Sequence, residues 1–90
     1  MALLPLPELL AGLAEEAAEL SQAALKLRRV YDGQNPTPPL SIAEGQCNLE
    51  EEIADVLLYL DQIPYTKFVV DRIKETKLER WKKRLEMKEG

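Results

Sequence analysis

Residues 8–31, ELLAGLAEEAAELSQAALKLRRVY, decide the fold of this chain. Leu9, Leu10, Leu13, Ala17, Leu20, Ala24 and Leu27 recur there at three- and four-residue spacings, the period at which side chains share one face of an α-helix. Pro7 is acceptable in a first turn, where its missing N–H costs nothing, and Asp32-Gly33 ends the pattern. The spacing predicts one helix of about six turns. Beyond it, residues 34–46 contain Asn35-Pro36 and Pro38-Pro39, which break a helix, so a connecting loop is expected. Asn48 is a good N-cap, and Glu50, Glu51 and Glu52 then fall in a first turn, where the helix dipole favours negative charge. A second helix is expected from Asn48 to about Gln62. Pro64 breaks it, and Tyr65 or Thr66 restarts a third helix that continues on strong helix formers through Lys88.

No alternating strand pattern, repeat or low-complexity tract appears, so the fold class is all-α, with residues 1–90 read as a single domain. A chain of 90 residues hides only about 60–65% of the surface its unfolded form exposes. Three helices, two long and one short, leave apolar stripes that one chain covers poorly. A four-helix-bundle core completed by homo-oligomerisation, as a homodimer or homotetramer, is the expected solution.

Composition narrows the chemistry. Apolar residues make up 46% and charged residues 31%, as in a folded soluble domain rather than a disordered or membrane chain. The formal net charge of −4 disfavours binding to a nucleic acid duplex. That charge is unevenly spread, since residues 67–88 hold nine of the twelve Lys and Arg. A lone cysteine, Cys47, cannot form an intrachain disulfide and is read as a packing residue. The absence of histidine removes the usual zinc ligand pairs and the His-dependent nucleophiles. Catalysis would therefore rest on carboxylates and on Lys or Arg. The apolar opening contains Pro5, Pro7 and Glu8 and has no Lys or Arg ahead of it, unlike a secretory signal. No apolar run approaches membrane-spanning length, and a reducing cytoplasm without a membrane partner is expected.

Two carboxylate pairs stand out. Glu15-Glu16-Ala17-Ala18-Glu19 lies on the first helix and Glu52-Ile53-Ala54-Asp55 on the second, and residues at i and i+3 share a helix face. With the first stripe centred on Leu13, Ala17, Leu20 and Ala24, Glu16 falls roughly 60° and Glu19 roughly 120° from its centre. Glu52 and Asp55 take nearly the same offsets from Leu49, Ile53, Val56 and Leu60. A single Glu-x-x-Glu is weak evidence, because Glu is a strong helix former and most Glu-rich faces are simply solvated. Two pairs on successive helices, with no Lys or Arg at i±4 of Glu16, Glu52 or Asp55, weigh more. If the helices pack antiparallel along their stripes, Glu16, Glu19, Glu52 and Asp55 converge where like charges repel and a cation is needed. All-oxygen ligands suit a hard ion, and magnesium is the usual choice beside nucleotide phosphates. Glu50 and Glu51 are read as solvated.

Glu15-Glu16-x-x-Glu19 followed by Glu52-x-x-Asp55 resembles the EExxE and ExxD signature of MazG-like all-α NTP pyrophosphatases, relatives of the dimeric dUTPases and dCTP pyrophosphatases. The resemblance runs from Leu13 through Arg84. It implies that Glu16, Glu19, Glu52 and Asp55 are magnesium ligands, with Glu15 a supporting carboxylate. It also implies hydrolysis of an NTP or dNTP to the monophosphate and pyrophosphate by attack of water on the α-phosphorus, with Glu16 or Glu19 orienting or deprotonating that water. Removal of aberrant nucleotides is a housecleaning role within the family.

On the third helix Lys74, Lys77, Arg80 and Arg84 form a cationic set suited to clamping phosphate oxygens. The family often shows Lys, then Asn four residues on, then Arg three further. Lys77, Trp81 and Arg84 occupy those places here, so the asparagine is absent. Trp81 then either packs in a subunit interface or stacks on a base, and packing is the commoner use of a helix-borne Trp. Lys82, Lys83 and Lys88 are read as solvated. The proline-rich loop is a candidate lid. Asn35 and Tyr31 stand either as base or ribose contacts or as a turn residue and a core aromatic. A second function class also fits: a non-catalytic helical interaction module whose basic third helix pairs with an acidic helix of another chain.

Overall fold

α1 (Leu6–Tyr31) begins where Pro5 holds an extended backbone and its carbonyl accepts from the Glu8 and Leu9 amides at 3.1 Å. Pro7 sits in the first turn, and Glu8 adds a carboxylate at the positive end of the helix dipole. The helix ends in a Schellman motif. Gly33 takes the left-handed conformation (φ 76°), its amide donates to the Val30 carbonyl at 3.3 Å, and the Gln34 amide donates to the Arg29 carbonyl at 2.7 Å. In this computed structural model, which describes residues 2–34 and 39–89, α2 (Ile42–Leu60) and α3 (Lys67–Glu89) follow, with no strand among the described residues. The fold class is all-α, as the helical periodicity predicts. Asn35, a candidate base contact, lies outside the described residues, and Tyr31 is exposed at the end of α1 rather than a core aromatic.

The start of α2 corrects the expectation built on Asn48. Ser41 caps the helix, its hydroxyl accepting from the Glu44 amide at 3.1 Å while the Ser41 amide donates to the Glu44 carboxylate at 3.4 Å. This reciprocal capping box satisfies two end donors at once. Residues 42–46, expected in the loop, are helical, and Asn48 stands inside the helix. Cys47, expected to pack, is exposed. Asp61 closes α2, and α3 begins just past Pro64.

α1 and α2 form an antiparallel hairpin pinned near both ends by close approaches. A Cβ on Gly12 would overlap the Tyr59 ring, and a Cβ on Gly45 would lie 2.8 Å from Leu27 Cδ1. Leu9 and Leu27 are the buried hydrophobic residues among those described. The seam runs along Leu9, Leu13, Glu16, Leu20, Ala23 and Leu27 on α1, and along Gly45, Leu49, Glu52, Val56 and Tyr59 on α2. It is rotated from the expected stripe, since Ala17 and Ala24 on α1 and Ile53 on α2 are exposed. The helices approach through small residues, and that brings carboxylates into the seam itself.

α3 packs on neither α1 nor α2. The radius of gyration is 16.9 Å, against about 12 Å for a compact chain of this length. Leu57, Leu58, Phe68, Trp81 and Leu85 are each at least 51% exposed, so a large share of the apolar surface has no cover from the chain's own helices. No helix among the described residues is long and apolar enough to cross a membrane.

Candidate metal centre

The rotated seam decides the geometry of the acidic residues. At about 100° per residue, Glu16 falls within roughly 20° of the line through Leu9 and Leu27, and Glu52 within roughly 20° of Gly45. Both point into the interface, nearer its centre than the sequence pattern suggests. One carboxylate oxygen each from Glu16, Glu52 and Asp55 lies within 4.8 Å of the others, and all three residues are half-buried. Glu16 Oε2 and Glu52 Oε2 are sealed from solvent and have no hydrogen-bond partner.

Such oxygens are costly to bury unpaired. Burial pushes the Glu16 carboxyl above its ordinary range, and the charges of Glu19, Asp55 and Glu52 push it the same way. Burial is likewise the largest cause for Glu52, followed by the charges of Glu19 and Asp55. Two unpartnered, desolvated carboxylate oxygens beside a third carboxylate are a donor set that fits a hard divalent cation. A bound cation would offset the burial and relieve the repulsion that together raise both groups.

Glu19 stands at the rim, exposed, its charge felt by both Glu16 and Glu52. Glu15, Glu50 and Glu51 are exposed, outside the tight group. Lys74, Lys77, Arg80 and Arg84 are exposed on α3, and the chain does not bring α3 to the carboxylates. The ion pairs formed by α3 among the described residues are internal, Lys67 with Asp71 at 3.1 Å and Lys82 with Glu79 at 3.5 Å.

Residues that the sequence pattern did not single out also belong to this neighbourhood. A cleft of about 220 Å³ opens beside the cluster, lined by Glu19, Gln22, Ala23, Lys26, Leu40, Gly45, Asn48 and Glu52. The signal for it lay in Ser41-Ile42-Ala43-Glu44, which reads as a capping box and moves Asn48 from the cap to the position i−4 from Glu52.

Residues 6–84 match the family model of the MazG nucleotide pyrophosphohydrolase domain. Neither the curated proteins nor the solved structures compared with the chain yield a match. The family is typically metal-dependent, in keeping with the cluster of Glu16, Glu52 and Asp55. With nearly its whole length matched and acidic side chains gathered in its helical seam, the chain belongs to the MazG nucleotide pyrophosphohydrolase family.

Proposed function

We propose that the protein is a magnesium-dependent nucleoside triphosphate pyrophosphohydrolase, converting an NTP or dNTP to the monophosphate and pyrophosphate. The observation that carries this reading is the pair of sealed, unpartnered oxygens, Glu16 Oε2 and Glu52 Oε2, beside Asp55 in the helix seam. Glu16, Glu52 and Asp55 would hold the ion, with Glu19 completing the set from the rim. Magnesium bound there supplies positive charge to the phosphate oxygens and makes water a stronger acid. Of the two candidates for orienting or deprotonating the attacking water, exposed Glu19 reaches solvent and substrate more readily than Glu16, whose Oε2 faces the seam. Removal of aberrant nucleotides is the role such an activity would serve.

The phosphate clamp assigned to Lys74, Lys77, Arg80 and Arg84 requires α3 of a second copy. In the C-terminal half of α3, Leu78, Trp81 and Leu85 form a stripe roughly 90° around the helix from the face of Lys77, Arg80 and Arg84. Docking that stripe on a neighbouring hairpin would cover exposed apolar residues such as Leu57 and turn the cations toward its carboxylates. A homodimer or homotetramer built this way completes both the core and the site. Sedimentation equilibrium at tens of micromolar should therefore report an oligomer, as specific interfaces of about micromolar affinity hold there. A monomer at that concentration contradicts the arrangement.

The test of activity is a screen of standard and modified triphosphates with and without magnesium, detecting pyrophosphate. Magnesium-dependent release that Glu52→Gln abolishes supports the reading, and no release from any triphosphate removes it. The unpacked, basic α3 is what favours the second reading, a non-catalytic interaction module. An ion bound only by the folded state raises the melting temperature, so a melt that magnesium does not move would favour the module.

A further inference from the structure

We propose that the cleft lined by Gln22, Lys26 and Asn48 seats the base of the substrate and selects bases carrying a ring N–H next to a carbonyl, such as uracil, thymine, guanine and hypoxanthine. The proposal rests on the pyrophosphohydrolase reading and names the substrate class for that same site.

Placement comes first. Glu19 and Glu52 line the cleft, and Glu52 is itself one of the three clustered carboxylates, so a nucleotide whose phosphates lie at the cluster has its nucleoside at the cleft mouth. Lys26 follows Glu19 by seven residues, about 10 Å along the helix axis. That is the direction and reach in which a nucleoside extends from its α-phosphate. The volume of about 220 Å³ is below the roughly 300–1,000 Å³ of pockets that enclose a whole drug-sized ligand. It suits a base, with the phosphates outside.

The lining fits a planar ring with a polar edge. Ala23 and Gly45 are small and Leu40 is apolar, and Gly45 is bare because Leu27 fills the space a Cβ would need. Beyond Glu19 and Glu52, whose carboxylates belong to the cation set, the polar groups are the amides of Gln22 and Asn48 and the ammonium of Lys26. An ammonium has three donors and no acceptor, so Lys26 can pair with a carbonyl oxygen but not with an exocyclic amino group. An amide oxygen from Gln22 or Asn48 can accept the ring N–H beside that carbonyl. Changing the carbonyl to an amino group sets a donor against the three donors of Lys26, a mismatch that the amides, which can turn to present either edge pattern, do not relieve. Asn48 is a poor helix former in a helix interior, where local propensity gives no reason for it. Its position i−4 from Glu52 places it over the cleft.

The experiment compares kcat/KM for substrate pairs that differ chiefly at this edge, dUTP against dCTP and dITP against dATP, with magnesium present. The wild-type protein should favour the carbonyl member of each pair by about 10- to 100-fold, the range for a hydrogen bond to a charged group. Lys26→Met should bring both ratios toward one, whereas Asn48→Ala, which raises helix propensity and should fold well, should lower kcat/KM for all four substrates and leave the ratios near their wild-type values. The rise in melting temperature caused by magnesium should persist in both variants, because neither residue belongs to the cation set. An equal fall for all four substrates in Lys26→Met would make Lys26 a phosphate contact and overturn the proposal. So would turnover of all four by the wild type without preference, or preference for the amino members. Turnover of none would instead remove the pyrophosphohydrolase reading, and this proposal with it.

Discussion

Gly12→Ala probes the link between helix packing and the carboxylate cluster. Gly12 lies one turn before Glu16, and Tyr59 lies one turn after Asp55, so their close approach sets the helix separation next to the cluster. Replacing a helix-interior glycine by alanine ordinarily gains up to about 1 kcal/mol. Here the new methyl overlaps the Tyr59 ring, and overpacking of that kind costs about 1–3 kcal/mol. The net expectation is a loss of roughly 1 kcal/mol, or about 4–8 °C in melting temperature for a chain of this size. The wedge also separates Glu16 from Asp55, so the stabilisation given by magnesium should shrink in the same variant. Thermal melts by circular dichroism, with magnesium and with chelator, measure both effects. Tyr59→Leu removes the obstructing ring, and in the double variant the penalty of Gly12→Ala should largely vanish, appearing as a coupling energy in a double-mutant cycle. A Gly12→Ala protein that melts above wild type with an unchanged magnesium response would refute the reasoning.

Glu52→Gln and Asp55→Asn should each abolish pyrophosphate release while the helical signal stays intact, and loss of one charge from the repulsive group should leave the metal-free protein at least as stable as wild type; retained turnover in both would take these residues out of the site. The pH dependence has a definite sign. Glu16 and Glu52 have folded-state values raised above the ordinary 4.5, so the folded state binds protons that the unfolded state does not. Their destabilising effect is complete above the raised values and is lost as pH falls toward 4.5. In chelator, the melting temperature of Glu52→Gln should exceed that of wild type at about pH 8, with the gap closing toward about pH 5; a gap that widens on acidification contradicts the assignment. Lys77→Ala should lower kcat/KM by a similar factor for every triphosphate, because a phosphate contact carries no base information. Trp81→Ala should weaken subunit association with substrate ranking unchanged; an altered ranking in a stable protein would assign Trp81 to stacking.

The apolar period of α1, the break at Pro64 and the i, i+3 spacing of Glu52 and Asp55 were legible because each depends on local spacing, while the meeting of Glu16 with them followed only on the condition of antiparallel packing. The rotation of the seam was not. A periodicity count credits only hydrophobic residues, so a seam that holds Glu16 and Glu52 and closes over Gly12, Ala23 and Gly45 registers as a gap beside the stripe of Leu13, Ala17, Leu20 and Ala24. The start of α2 was obscured by two competing cap signals. Asn48 followed by three glutamates is a good local start, but Ser41 with Glu44 satisfies two backbone donors and adds further helix. The relation of α3 to the rest was invisible for a different reason, since its apolar residues change face between Phe68 and Leu85 and neither α1 nor α2 receives them.

The register of the hairpin has a consequence for how the chain tolerates length changes. Gly12 meets Tyr59, Glu16 meets Asp55, Glu19 meets Glu52 and Leu27 meets Gly45, so the interlock is repeated from one end of the seam to the other. The connection between α1 and α2 need only span the gap, and doubling a flexible loop costs only about 0.6 kcal/mol. Insertions after Gly33 or before Ser41 therefore leave the acidic group assembled, whereas one residue added between Glu19 and Leu27 turns half of α1 by about 100° against its partner. The connection is the place to graft a foreign peptide or to open new termini, and the seven residues between Glu19 and Leu27 are where a single added codon breaks the alignment of the site with its cleft.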